Sequence, residues 1–375
     1  MAADPRRPIR WRLADEDVPA ALFPDETALE RHVGTGEYRG LEFLHVNARR
    51  IINTVPESSG MPFRHTINAY RGCSHACTYC FARPTHDYLG LGIGEDFETK
   101  IVVKVNAVER LRAELRASRW GGEHIAMGTN TDPYQAAEGK YHLTRGIIGA
   151  LSEARNPFSI LTKSTLVLRD LKALTDAARR TAVHVSLSIG TLDREVWRLT
   201  EPGTPPPDQR LAAVRRLSEA GIPCGVLVAP VLPGLSDGDD QVRLLAQACR
   251  EAGAISVSAV ALHLRPGVRQ HFMGWLARCR PDLVPLYDER FGRGAYQPRA
   301  EQARLSALVA GVSTDRVMAA VARRSRPGPP VTTTGHPDTR RRFVGGDGVA
   351  DGPEAGAARH PAGAHRGRGE QLRLL

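Results

Sequence analysis

From about residue 58 to about residue 265, short β-branched runs alternate with stretches of helical spacing, and this rhythm limits the possible folds more than any other feature. The runs are His65–Tyr70, His124–Gly128, Phe158–Lys163, Ala182–Ile189, Ile222–Ala229 and Ala254–Leu262. Between them Leu168, Leu171 and Leu174 recur on one helical face, as do Leu211, Val214 and Leu217 behind Asp208, an expected N-cap. Six strands joined by helices imply right-handed βαβ crossovers, an α/β fold and a parallel sheet. An open doubly wound sheet and a partial barrel both satisfy the pattern. Residues 1–57 carry no chemical motif and read as an N-terminal extension packed on the core. Residues 58–322 form that core, closed by helical stretches near Phe272–Arg280 and Arg299–Arg324. Residues 323–375 turn to Pro, Gly, Ala and Arg with a single aromatic, Phe343, and are predicted to be disordered because they cannot bury enough apolar surface to offset ordering entropy.

The chain has 375 residues, 42% of them hydrophobic and 25% charged, which suits a globular protein with a large core. No apolar run approaches the ~20 residues a membrane-spanning helix requires. The basic start Met1-Ala2-Ala3-Asp4-Pro5-Arg6-Arg7 has no apolar stretch behind it, so no signal peptide is read there and a cytoplasmic location is expected. In a reducing compartment, clustered thiols among the six cysteines more often bind metal or do chemistry than form disulfides. The net charge of +10 invites a nucleic-acid partner, yet half of it lies in residues 323–375, which hold ten Arg and five acidic residues.

The central motif is Tyr70-Arg71-Gly72-Cys73-Ser74-His75-Ala76-Cys77-Thr78-Tyr79-Cys80, placed where the first β-branched run ends. Strand ends are where α/β folds put their ligand loops. Three thiolates spaced by three and then two residues can wrap a compact metal centre from one loop. A 4Fe–4S cluster held this way keeps one iron open for a ligand. A zinc site completed by His75 or His86 is the alternative, since zinc normally takes four ligands. Chance clustering is a third reading, and disulfides are disfavoured by the odd number.

The spacing of Cys73, Cys77 and Cys80, with aromatic Tyr79 before the last, resembles the signature of the radical S-adenosylmethionine (SAM) superfamily. The resemblance implies a partial (β/α)6 TIM-type barrel, a 4Fe–4S cluster on the three cysteines and SAM as cosubstrate. In that superfamily SAM chelates the fourth iron, and an electron from the cluster cleaves it to methionine and a 5′-deoxyadenosyl radical that abstracts hydrogen from the substrate. An electron donor such as flavodoxin or ferredoxin is implied as a partner.

Over about residues 40–300 the chain is similar to the spore photolyase branch, through Glu201-Pro202-Gly203-Thr204, Arg210, Ala220-Gly221 and Val228-Ala229-Pro230. It is most similar to an uncharacterised actinobacterial group allied to that branch, through Cys80-Phe81-Ala82-Arg83-Pro84-Thr85-His86 and Thr131-Asp132-Pro133-Tyr134-Gln135. The chemistry of the strand ends agrees. Thr131 and Asp132 offer acceptors for the SAM amino group, and Lys163 can pair with its carboxylate. Ser188 can hydrogen-bond the carboxylate or a ribose hydroxyl, and backbone groups at Ala229 can meet adenine. Tyr79 completes the expected cofactor contacts.

Gly121-Gly122-Glu123 spells a motif many superfamily members use for the SAM amino group, but it precedes the second strand and reads as a turn entering it. Cys249 shares a helical face with Val242 and Leu245 and reads as core; Cys224 falls within the fifth strand and Cys279 near a helix end. The pairs His86 and Tyr88, and Tyr134 and Gln135, are candidates to face substrate from the barrel mouth. Spore photolyase has a hydrogen-returning cysteine shortly before its second-strand SAM motif, whereas Thr129 and Asn130 stand here, which weighs against thymine-dimer repair. A non-catalytic zinc or iron–sulfur module serving as a nucleic-acid adaptor is the rival class.

Overall fold

The β-branched runs become parallel neighbours in one sheet. In this computed structural model, which describes residues 30–310, the strands are β1 (Glu30–Val33), β2 (Glu42–Val46), β3 (Ile52–Thr54), β4 (His65–Ile67), β5 (Tyr70–Arg71), β6 (Lys100–Lys104), β7 (Ile125–Met127), β8 (Phe158–Thr162), β9 (Val183–Ser188), β10 (Cys224–Val231) and β11 (Ser256–Ala261). The larger sheet runs β11-β10-β9-β8-β7-β4-β3. Its first six members pair in parallel and only β3 is antiparallel. Neighbours thus follow chain order with no reversal. That is the topology of an unclosed (β/α)6 barrel; a doubly wound sheet would reverse strand order at a switch point.

Burial alternates along β8 and β9. Val183, Val185 and Leu187 are buried among the helices, while His184 and Ser186 on the opposite face are half-buried and hydrogen-bonded to each other at 3.1 Å. One face therefore makes the core and the other a polar barrel interior. The core joins these strands to Ile147, Leu151, Leu174, Val214, Leu217 and Leu245 of the crossover helices. Cys249 lies in it with Val242, as does Cys224, whereas Cys279 ends the helix Val268–Cys279 and is exposed.

Four local readings are refined by the structure. The first run is two strands: β4 stops at Ile67, and β5 turns into a smaller sheet ordered β1-β2-β6-β5, antiparallel to β6. Part of the N-terminal extension is woven into both sheets as β1, β2 and β3. The helix expected behind Asp208 begins at Pro207, whose ring is suited to a first helical turn, so Asp208 sits inside that turn. Leu168 lies in a 3₁₀ turn, Thr165–Asp170, that leads into the helix Leu171–Ala178. The last described helix is Arg299–Val309; its expected continuation to Arg324, the tail 323–375 and residues 1–29 lie outside the described residues. Among the described residues no helix is long and apolar enough to cross a membrane.

Candidate active site

The cysteine loop leaves β5 and is clamped from three sides. Gln135 is fully buried; its side-chain oxygen accepts from the Ser74 amide at 3.1 Å and its amide donates to the Gly72 carbonyl at 2.9 Å. Arg83, also fully buried, donates to the Cys77 carbonyl at 2.8 and 3.1 Å. The stretch Glu201–Thr204 docks beneath: the Thr78 amide donates to Thr200, and the Gly203 amide donates to the His75 carbonyl at 3.1 Å. A Cβ on Gly203 would fall 2.2 Å from the Ser74 carbonyl oxygen, so only glycine allows this approach. Cys77 and Tyr79 also pack in a second apolar cluster with Phe272, Trp275, Tyr287 and Phe291, which ties the loop to the closing helices.

All three cysteines are free thiols, Cys73 and Cys77 buried and Cys80 half-buried. Burial pushes each thiol upward, Cys77 to about 12, with Glu201 adding to it and Lys163 opposing. Cys73 is raised further by Asp132 and by the other two thiols. Thiolates here need a neutralising cationic centre, which iron would supply. Among the described residues, the three sulfurs belong to no group of ligand atoms lying within 4.8 Å of one another. A single tetrahedral zinc with ~2.3 Å bonds to sulfur demands closer ligands than that, whereas a four-iron cluster spreads them. The donor set fits the cluster. His75 faces Asp132 at 3.3 Å, and His86 spends Nε2 on the Lys100 carbonyl at 2.9 Å.

The strand ends converge on Lys163. Its Nζ lies 2.8 Å from Ser188 Oγ, 3.1 Å from the Ala229 carbonyl and 2.9 Å from Glu201 Oε1, and 5.6 Å from the centroid of the Tyr79 ring. Four expected cofactor contacts, Tyr79, Lys163, Ser188 and Ala229, thus meet at one point. Glu201 was singled out in the sequence without a role, and it proves to be the hub. Its carboxylate also accepts from the Tyr79 hydroxyl and pairs with Arg210 at 2.5 Å. Burial drives its pKa up, but the charges of Arg210 and Lys163 and the hydrogen bonds more than offset this and hold it at about 2. This hub buries two cations against one carboxylate, an excess that suits an anionic ligand. The signal available in sequence was a charged residue inside the Glu-Pro-Gly-Thr stretch; nothing local links positions 163 and 201.

Thr131 and Asp132 stand nearby and are engaged by the protein. Thr131 Oγ1 donates to the Tyr70 carbonyl at 2.9 Å and keeps acceptor capacity. Asp132 accepts from Thr162 Oγ1 and the Lys163 amide, both at 2.7 Å, and from the Tyr134 amide at 2.8 Å. Burial raises its pKa, and His75 with these bonds overrides that and leaves it below the usual range. Its evident work is to pin the end of β8 and so aim Lys163. Gly128 lets β7 leave beside β8, since a Cβ there would overlap the Leu161 carbonyl. Asn130 Oδ1 and Thr78 Oγ1 are buried without a partner among the described residues.

The candidates for substrate contact fare differently. Tyr134, Gln135 and His86 are buried packing residues, Tyr134 donating to Asp170 at 3.2 Å, and only Tyr88 is exposed. Long loops that follow the strand ends need internal bracing, and these side chains provide it. Gly121-Gly122-Glu123 is exposed and lies ahead of β7, with Gly122 at φ 77°.

A family model described as the Radical SAM superfamily matches residues 67–246. An uncharacterised protein of Mycobacterium tuberculosis is 46% identical over 304 residues, which is 81% of this chain and 88% of the relative. A Pseudomonas phage M6 protein described as a radical SAM Nalpha-GlyT isomerase is 25% identical over 169 residues, 45% of this chain and 33% of that one. Among solved structures, spore photoproduct lyase complexed with dinucleoside spore photoproduct aligns with a TM-score of 0.54 at 19% identity, covering 74% of this chain and 79% of that one. That likeness shows the fold. With the family match, the close relative and the cysteine loop at the strand end, the chain belongs to the radical SAM superfamily of enzymes.

Proposed function

We propose that Cys73, Cys77 and Cys80 hold a 4Fe–4S cluster and that the strand-end groups bind SAM, so that the enzyme abstracts hydrogen from a nucleic-acid substrate. When bound and reduced by a flavodoxin- or ferredoxin-type donor, the cluster and SAM would together supply hydrogen-abstracting radical chemistry. In this reading Lys163 pairs with the SAM carboxylate, released from Glu201 because Arg210 still neutralises that side chain. Ser188 and the Ala229 carbonyl orient Lys163, and the Tyr79 ring lies against its ammonium. Thr131 Oγ1 and the unpartnered Asn130 Oδ1 are the free acceptors for the amino group. The observation that carries the proposal is the half-buried ammonium of Lys163, which shares the single carboxylate of Glu201 with Arg210, at the strand ends where the loop of three free thiols docks.

Support for nucleic acid is of two kinds: the net charge of +10 and the dinucleoside bound to the structurally similar lyase. A non-catalytic metal module would need neither Lys163 nor its buried counter-charges. The test is anaerobic reconstitution, reduction in the presence of SAM, and assay of iron and 5′-deoxyadenosine. About four irons per chain and slow 5′-deoxyadenosine release are expected. Cys73→Ala, Cys77→Ala and Cys80→Ala should each lose most of the iron, and Cys249→Ala should not. Stoichiometric zinc with no iron in protein prepared without oxygen would sink the proposal.

A further inference from the structure

Two cations are buried together on the side of β5 that faces away from Tyr70, Arg71 at the root of the thiol loop and Lys104 on the neighbouring strand. Arg71 follows Tyr70 in β5, so it points to the opposite face: Tyr70 enters the main core and donates to Glu138 at 2.5 Å, while Arg71 turns outward. The β5–β6 register sets Arg71 opposite Val102, and Lys104 is two residues further along β6, so both cations share one face. That face is apolar. It carries Leu44, Val46, Leu89, Leu91 and Val102, with Val46 paired to Lys104 across β2. Arg71 is 7% exposed and Lys104 2%.

Among the described residues neither side chain makes a hydrogen bond or an ion pair. The acid that acts on Lys104, Glu114, commits both oxygens to the amides of Ile51 and Ile52, at 2.8 and 3.0 Å. Burial, with Arg71 beside it, brings the Lys104 amine down to about 7. Two like charges in an apolar layer, with no carboxylate paired to either among the described residues, are costly to bury, a burden proteins normally relieve by pairing. Tyr88, 39% exposed, lies within electrostatic reach of Arg71.

We propose that Arg71 and Lys104 form a second, non-catalytic site that takes a phosphate group. The forked guanidinium and the point charge of the ammonium are complementary to a tetrahedral dianion, and the apolar surround strengthens both contacts. The phosphate comes either from the free anion or from a nucleic-acid backbone, and the proposal stands apart from the reading of the SAM site.

The test is thermal unfolding of the reconstituted protein under inert gas, in zwitterionic buffer, with inorganic phosphate compared against chloride at matched ionic strength. Wild type should show a saturable rise in melting temperature specific to phosphate. Lys104→Met keeps the stem and deletes the charge; it should melt higher than wild type without phosphate and respond at least tenfold more weakly to it. Lys104→Arg should retain the response, and iron content and 5′-deoxyadenosine formation in Lys104→Met should match wild type. A single-stranded oligonucleotide that reproduces the phosphate effect, and loses it in Lys104→Met, identifies the backbone as the source; a response to free phosphate alone identifies the anion, and either outcome supports the site. No phosphate-specific stabilisation of wild type overturns it, as does an unchanged response in Lys104→Met.

Discussion

Lys163 and Glu201 act against each other at the scale of single residues. Each is the other's partner, and in the proposed reading Lys163 must also be free to meet an anionic ligand, a conflict that Arg210 resolves by giving Glu201 a second partner. Lys163→Ala is therefore expected to fold, keep its iron and bind SAM more weakly by about one to three kcal/mol, the range for a charge-assisted hydrogen bond. Equilibrium dialysis with labelled SAM measures this, and unchanged affinity would remove Lys163 from the site. Glu201 predicts a pH effect. Its folded pKa of about 2 lies below the ordinary carboxyl value, so its stabilisation is complete above about pH 4.5 and is lost as pH falls through about 2. Glu201→Gln leaves Lys163 and Arg210 buried without their carboxylate. Urea unfolding should find it less stable than wild type near neutrality, by on the order of 3 kcal/mol, with the gap closing in acid. A gap independent of pH would contradict the assignment.

Among the elements, the thiol loop is rigid because remote segments grip it. Gln135 arrives from the β7 side, Arg83 from the turn that follows the cysteines, and Gly203 from the segment before the helix Pro207–Glu219. The loop's geometry thus belongs to the barrel as much as to its own eleven residues. Gly203→Ala drives a methyl group into the Ser74 carbonyl and should displace the loop while the sheet, far from that contact, survives. The expected outcome is near-native far-ultraviolet circular dichroism with markedly reduced iron retention. Full iron loading in Gly203→Ala would show that the loop tolerates the shift and that the close approach has no bearing on the cluster.

At the scale of the whole molecule, the net charge of +10 bears on a nucleic-acid partner. If the substrate is nucleic acid, its affinity should fall steeply as salt rises, since each phosphate neutralised releases counterions. Deleting residues 327–375 should lower affinity and spare turnover at saturating substrate, because the tail supplies part of the charge and none of the site residues. Binding measured by fluorescence anisotropy across a salt series, beside turnover of damaged and undamaged oligonucleotides, tests both. With Thr129 and Asn130 where the related lyase has its hydrogen-returning cysteine, clean thymine-dimer reversal is not expected. Its appearance would overturn that argument, and salt-independent or absent binding would redirect the search to peptides and metabolites.

What the sequence determined is what local chemistry can encode. Three cysteines within eight residues mark a candidate metal loop without any fold, and period and β-branching mark six strands because each strand's burial is written in its own side chains. Parallel pairing in chain order follows from short crossovers of fixed hand. Only the tertiary structure decided what depends on residues far apart in the chain. The split of the first strand between two sheets, the entry of β2 beside β6, and the meeting of Glu201 with Lys163 across 38 positions leave no periodic trace. The same holds for Tyr134, Gln135 and His86: polar residues beside a motif read equally as ligands or as braces until burial and partners distinguish them. Arg71 and Lys104 are two ordinary cations in the sequence, and they become a problem in electrostatics only when β5 pairs with β6 and buries both on one apolar face, because the cost of an unpaired charge is set by what surrounds it.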